Sequence, residues 1–224
     1  MKKIFYLLLL LPIFSFSQEK INRSIGDFNS LSVHDGIELE IVKSDMNMVD
    51  IYGPKSNKVI VKNKNGNLKI RTKFFKKFSE DKIKVVLKYK QLSSIISSRG
   101  SEIFSKDTIT QQEITIISKT KSKQKYIINN NFLNSFALTG GKIFFSGNTK
   151  YHKSKSKLLG VVNAQELLSI QTEAKSISKG IININASALI DAFSVTAGTI
   201  NIYTKTTKII ERTLFGGKVN LLYE

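Results

Sequence analysis

The amino-acid sequence predicts an all-β protein, a right-handed parallel β-helix or solenoid of about seven coils preceded by a β-rich N-terminal segment. Three observations carry this. Apolar and polar residues alternate with period two through most of the chain, which is the pattern of half-buried strands. A glycine followed by two alternating apolar positions recurs at Gly141, Gly160, Gly180, Gly198 and Gly217, with successive spacings of 19, 20, 18 and 19. Turn signals in that half are too sparse for antiparallel hairpins, which need one about every 8–12 residues. A β-sandwich is the alternative architecture.

Composition narrows the function. The 224 residues contain no cysteine, which removes disulfides, thiolate metal sites and cysteine catalysis. Fourteen Phe and seven Tyr supply too much apolar surface for a disordered chain. The formal charge of +18 gives a strongly cationic surface suited to anionic partners.

Residues 1–17 read as a signal peptide. Lys2 and Lys3 precede an apolar run from Ile4 to Leu11, and small residues, Ser15 and Ser17, stand three and one before the expected cut at Gln18. Nothing later approaches the roughly 20 apolar residues of a membrane helix, so no transmembrane segment is expected in the mature chain. Export to the periplasm, cell surface or medium follows, and with it no nucleic-acid partner.

Residues 18–91 form the expected β-rich N-terminal segment. Leu31 and Val33, Ile37, Leu39 and Ile41, Val59 and Val61, Leu68 and Ile70, and Ile83, Val85 and Leu87 alternate with polar residues. Asn65-Gly66 predicts a hairpin, because both central residues of a type I′ turn take positive φ. Asp35-Gly36 and Gly53-Pro54 mark further turns.

Residues 92–224 form the repeat region. The glycine is expected to take positive φ as each coil turns into its next strand. The two apolar positions after it point inward. Asn163, Asn183, Asn201 and Asn220 each follow the glycine by three and point outward, where stacking at about 4.8 Å makes an amide ladder. Residues 92–102 and 114–117 read as earlier, degenerate coils.

The segment Phe28-x-x-Leu31-x-Val33-x-x-Gly36-Ile37-x-Leu39-x-Ile41, followed by Val49-Asp50-Ile51-Tyr52-Gly53, resembles the opening of the head GIN domain family of auto-transporter adhesins. Gly-Gly-Lys-Ile at 140–143, Ala-Gly-Thr-Ile-Asn-Ile at 197–202 and Gly-Gly-Lys-Val at 216–219 are similar to its repeated turns. The resemblance implies a β-helical, exported, adhesive bacterial protein and carries over no catalytic residue. The chain departs from the family pattern in its few Gly-Ser-Gly turns and its excess of lysine.

Catalytic chemistry has little to stand on. His34 and His152 are the two histidines, without partners at metal-ligand spacing, and are expected at turns or on the surface. No cofactor is implied. The acids Glu173, Asp191 and Glu211 lie 18 and 20 apart and are expected to stack on one side, the best case for a polysaccharide lyase or hydrolase.

Lysines are the remaining clue. Residues 55–90 hold 13 Lys or Arg against Glu80 and Asp81, and a second cluster, Lys150, Lys153, Lys155 and Lys157, surrounds Tyr151. The candidate surface for an anionic glycan or other envelope component is Lys69, Arg71, Lys73, Lys76, Lys77 and Lys84, with Lys150, Lys153, Lys155 and Lys157. The expected function is non-enzymatic binding. Cell-envelope polysaccharide processing is the alternative.

Overall fold

A computed structural model describes residues 20–53, 56–73 and 83–223, and the predicted leader lies outside them. The described chain is a β-solenoid of about seven turns. Its windings run through β8 (Ser94–Ser97) and β9 (Glu102–Ile109), then β10 (Glu113–Lys119) and the first half of β11 (Lys123–Leu138). The second half of β11 leads into β12 (Lys142–Lys157), which leads into β13 (Val161–Ile177) and β14 (Ile181–Val195). β15 (Thr199–Ile202), β16 (Lys208–Leu214) and β17 (Lys218–Leu221) complete the stack. Every pairing along this stretch is parallel.

The parallel stack reaches back to β2 (Ser30–Val33) and β3 (Glu38–Lys43), which lie against β8 and β9. On their other side sit β6 (Asn67–Thr72) and β7 (Lys84–Tyr89), so a layer later in sequence is earlier in space. Antiparallel strands cover that layer. β5 (Val59–Lys64) pairs with β6, β4 (Met48–Tyr52) with β7, and β1 (Lys20–Ser24) with β4. The β5–β6 hairpin turns at Asn65 and Gly66, both left-handed at φ 50° and 75°, as the dipeptide predicts.

Period two decides what faces the axis. One wall contributes Ile114, Leu133, His152, Thr172 and Ile190, which follow one another in register. The other contributes Ile143, Val162, Ile182 and Ile200, all fully buried. Each such aliphatic side chain contributes roughly 2 kcal/mol by leaving water. His152 is thus an interior residue, not the surface or turn residue expected, because its position in β12 has the parity of its buried neighbours Ser154 and Ser156. The Ser135 hydroxyl meets its Nε2 at 2.9 Å, and burial lowers its pKa to about 3.

The repeat glycines stack, as the backbone bonds show: Val161 N–H donates to Gly141 O, Ile181 N–H to Gly160 O, Thr199 N–H to Gly180 O and Lys218 N–H to Gly198 O. Their φ is not positive, which corrects the expected reason for them. The left-handed residues are the two before each glycine: Thr139 and Gly140, Leu158 and Leu159, Ser178 and Lys179, Thr196 and Ala197, Phe215 and Gly216. The glycines are instead demanded by close approach. A Cβ on Gly160 would lie 2.5 Å from the carbonyl carbon of Ala137, and one on Gly198 2.6 Å from the carbonyl oxygen of Ser176.

Side chains therefore occupy left-handed positions at most corners, at about 1 kcal/mol each. Leu159, 64% exposed at φ 63°, gains little from packing in return. Leu159→Gly is expected to raise stability by about 0.5–1 kcal/mol, read as a higher urea midpoint at unchanged m-value. A lower midpoint would show that the exposed leucine contributes more than its backbone costs.

The amide ladder forms over three of its four members. Asn220 donates to the Asn201 side-chain oxygen and Asn201 to that of Asn183, both at 2.8 Å. Asn163 is in register with them, but its oxygen accepts from the Gln165 amide.

Candidate functional site

β12 turns its lysines outward because His152, Ser154 and Ser156 of the same strand point inward. Lys153, Lys155 and Lys157 consequently project from one face at about 6.6 Å intervals. Across the stack Lys153 neighbours Glu173 and then Asp191, while Lys155 neighbours Lys175, Phe193 and Arg212 in turn. Lys153 pairs with Glu173 at 3.0 Å, and Arg212 with Asp191 at 2.5 Å. The Phe193 ring lies between two cations, 5.0 Å from Lys175 and 5.6 Å from Arg212. Lys155 and Lys157 have no acid within ion-pair reach among the described residues.

The other candidate cations are dispersed. Lys69 shares the Lys155 column, but the register runs through Ser32, Ile96, Ile117 and Phe136 before reaching it, a separation of about 24 Å. Arg71 follows on the same strand, beside the Asp35-Gly36 corner. There His34 is half-buried, and burial with nearby Arg99, Lys69 and Arg71 lowers its pKa, while Asp35 opposes the shift. Its Nδ1 meets the Ser98 hydroxyl at 2.5 Å. Lys84 stands on the opposite wall in register with Glu38. Lys73 follows β6, and its amide donates to Lys58 O. Lys150 lies at a corner of the winding, and Lys76 and Lys77 fall outside the described residues.

The three acids do not stack. Glu173 and Asp191 are in register, but Asp191 is followed by Ile210, whereas Glu211 pairs with Ala192 on the other face of the strand. The two that do align are held by Lys153 and Arg212. Among the described residues no three His, Cys, Asp or Glu side chains stand close enough to hold a metal.

One surface feature escaped the sequence reading. Phe132 and Tyr151, one winding apart, stack with ring centroids at 5.1 Å and planes within 9°, and stay 41% and 44% exposed. They directly follow Asn131 and Lys150, which line a groove along the second corner of the windings. The signal was present as Asn-Asn-Asn-Phe at 129–132 and Asn-Thr-Lys-Tyr at 148–151, offset by nineteen. A search anchored on glycine passes over it.

The family profile described as "Putative auto-transporter adhesin, head GIN domain" matches residues 27–205. A crystal structure of a putative adhesin from Bacteroides fragilis NCTC 9343 is similar over 92% of this chain and 96% of its own, with a TM-score of 0.80 at 21% identity. A putative adhesin from Parabacteroides merdae ATCC 43184 covers the same shares at a TM-score of 0.69 and 14% identity. A putative lipid binding protein from Parabacteroides distasonis ATCC 8503 follows at 0.61 and 15%, over 92% of this chain and 97% of its own. No curated protein matches. At these identities the three likenesses show the fold.

Proposed function

The chain belongs to the head GIN domain family, and from that membership we propose that it is an exported, non-enzymatic adhesin-like protein that holds anionic envelope glycans on its lysine-bearing face. An adhesive role fits the family and an exported or surface location. The leader read at residues 1–17 supplies the route.

The observation that carries the ligand class is the outward row of β12. Lys153, Lys155 and Lys157 stand on a strand paired on both sides, so their bases cannot move independently. Lys155 adjoins Lys175 in register, which places like charges side by side and leaves them for an outside anion to neutralise. A repeating polyanion meets such a row with several charges at once. The pairing of Glu173 and Asp191 with cations, and the displacement of Glu211, speak against the hydrolytic alternative.

Retention of the purified protein on immobilised heparin, used as a polyanionic glycan probe, is expected to fall as salt rises. Changing Lys153, Lys155 and Lys157 together to Gln removes about 0.5–1 kcal/mol per exposed contact, or roughly 30-fold in apparent affinity overall. The substituted side chains lie on the outer face, so the thermal midpoint should hold. Retention that survives the triple change at an intact fold overturns this reading. Equal loss on vesicles of anionic phospholipid but not on heparin would reassign the anion to a lipid headgroup.

A further inference from the structure

The corner where each winding passes between walls carries a groove of about 590 Å³, on the side away from the glycine turns. Its lining repeats coil by coil: Asn129 is in register with Asn148, which is followed by Leu168 and Asn185. It crosses five strand spacings, about 24 Å in all. The floor is ordered by its own hydrogen bonds. Thr149 donates to the Asn130 side-chain oxygen at 2.7 Å, Asn130 donates to Phe132 O at 3.1 Å, and the Ser169 and Thr172 hydroxyls meet at 2.6 Å. The rim is different. Asn129 and Asn148 are exposed, and their amides bond to nothing among the described residues.

Three properties select the ligand. The groove is amphipathic: its amides and hydroxyls adjoin Leu168 and Ile170 of the lining, and the stacked rings of Phe132 and Tyr151 come next in the chain after its lining residues Asn131 and Lys150, all four apolar side chains being more than 40% exposed. It contains one charged side chain, Lys150, and no acid. Its chemistry repeats at about the length of one sugar residue in an extended chain. A pyranose ring matches this point by point. Its C–H face packs on aromatic and aliphatic surface, and its hydroxyls, each both donor and acceptor, suit an amide that offers both. Other polymers fit less well. A peptide strand needs a free sheet edge, and here the backbone is paired on both sides; nucleic acid needs more than one cation.

We propose that this groove is a carbohydrate site for a linear chain of pyranose sugars, with Leu168 and Ile170 as its apolar lining, the neighbouring Phe132–Tyr151 stack as an extension of it, and Asn129 and Asn148 as its hydroxyl-binding rim. The site is separate from the lysine row and does not depend on it. Since most of its contacts are uncharged, binding here resists salt.

Affinity electrophoresis of the purified protein through gels containing dextran, yeast mannan or hydroxyethyl cellulose tests this at 0.3 M salt, where ion pairing is screened. Retardation is expected in at least one gel. Tyr151→Ala and Asn148→Ala should each weaken it about fivefold or more, and the Lys153, Lys155, Lys157 triple Gln variant should leave it unchanged. Asn148 makes no internal bond, so its variant tests the site even where loss of Tyr151 disturbs the ring stack. Retardation in none of the three gels, or retardation that neither single variant weakens, overturns the proposal. Failure of the unmodified protein to bind heparin at low salt, with retardation in these gels intact, would count against the lysine row alone.

Discussion

Gly160→Ala is expected to destabilise the protein by about 3 kcal/mol or more, whereas Gly216→Ala costs about 1. The contrast follows from where each glycine sits. The Cβ of an alanine at 160 overlaps the carbonyl group of Ala137 on the preceding coil, and that carbonyl belongs to a strand paired on both sides. Backbone cannot rotate away as a flexible side chain does, so the coils must part at that point. Parting them breaks the bonds from Val161 to Gly141 O and from Gly140 to Leu158 O, which join the same two coils. Gly216 is the reverse case. It takes φ +75°, but a methyl group there meets no atom within 4 Å, so only the left-handed backbone resists substitution. Urea unfolding of the two variants decides between close approach and torsion as the reason for glycine. If Gly216→Ala proved the more damaging, the close-approach account would fail.

His152→Leu is expected to flatten the acid limb of stability. The imidazole is 2% exposed, and burial holds its pKa near 3 against about 6.5 in an unfolded chain. Between those two values the unfolded chain binds a proton that the folded protein does not. Native stability therefore falls as pH drops from about 6.5 toward 3, by about 1.4 kcal/mol per unit, and the full contribution is present above 6.5. Leucine, the residue that Leu133 places in the same column one coil earlier, has no proton to bind. Carboxylates titrate in both proteins, so the difference between wild type and variant isolates the histidine. That difference should move by about 3 kcal/mol in favour of the variant between pH 7 and pH 4. Superimposable pH profiles would mean that the imidazole is hydrated in solution. The Ser135 hydroxyl, which loses His152, keeps Ser154 at 3.2 Å, limiting the cost at neutral pH.

Several errors of the sequence reading share one origin, the parity of strands. Successive side chains alternate faces, so a miscount of one residue moves a side chain from surface to core. Asp191 and Glu211 are 20 apart, close to the repeat length, yet the winding between them takes 19 residues and delivers Ile210 beneath Asp191. His152 has the same explanation: polar residues on both sides, Tyr151 and Lys153, suggest a surface loop, and the register alone makes it interior. The groove was missed because only the coils of Asn129 and Asn148 keep the offset of nineteen; farther along, the register shift between Asn163 and Leu168 breaks it.

What the sequence determined by itself is the winding. Alternation, a period near nineteen and a recurring glycine are local properties, and stacking of parallel coils satisfies all of them together. The tertiary structure alone decided three things: that β6 and β7 slot beyond β2 and β3, that the glycines yield to a neighbouring carbonyl, and that Phe132 meets Tyr151 beside a groove. Each depends on which coil lies against which. That is a contact between residues far apart in the chain, and no local pattern of apolar and polar residues encodes it.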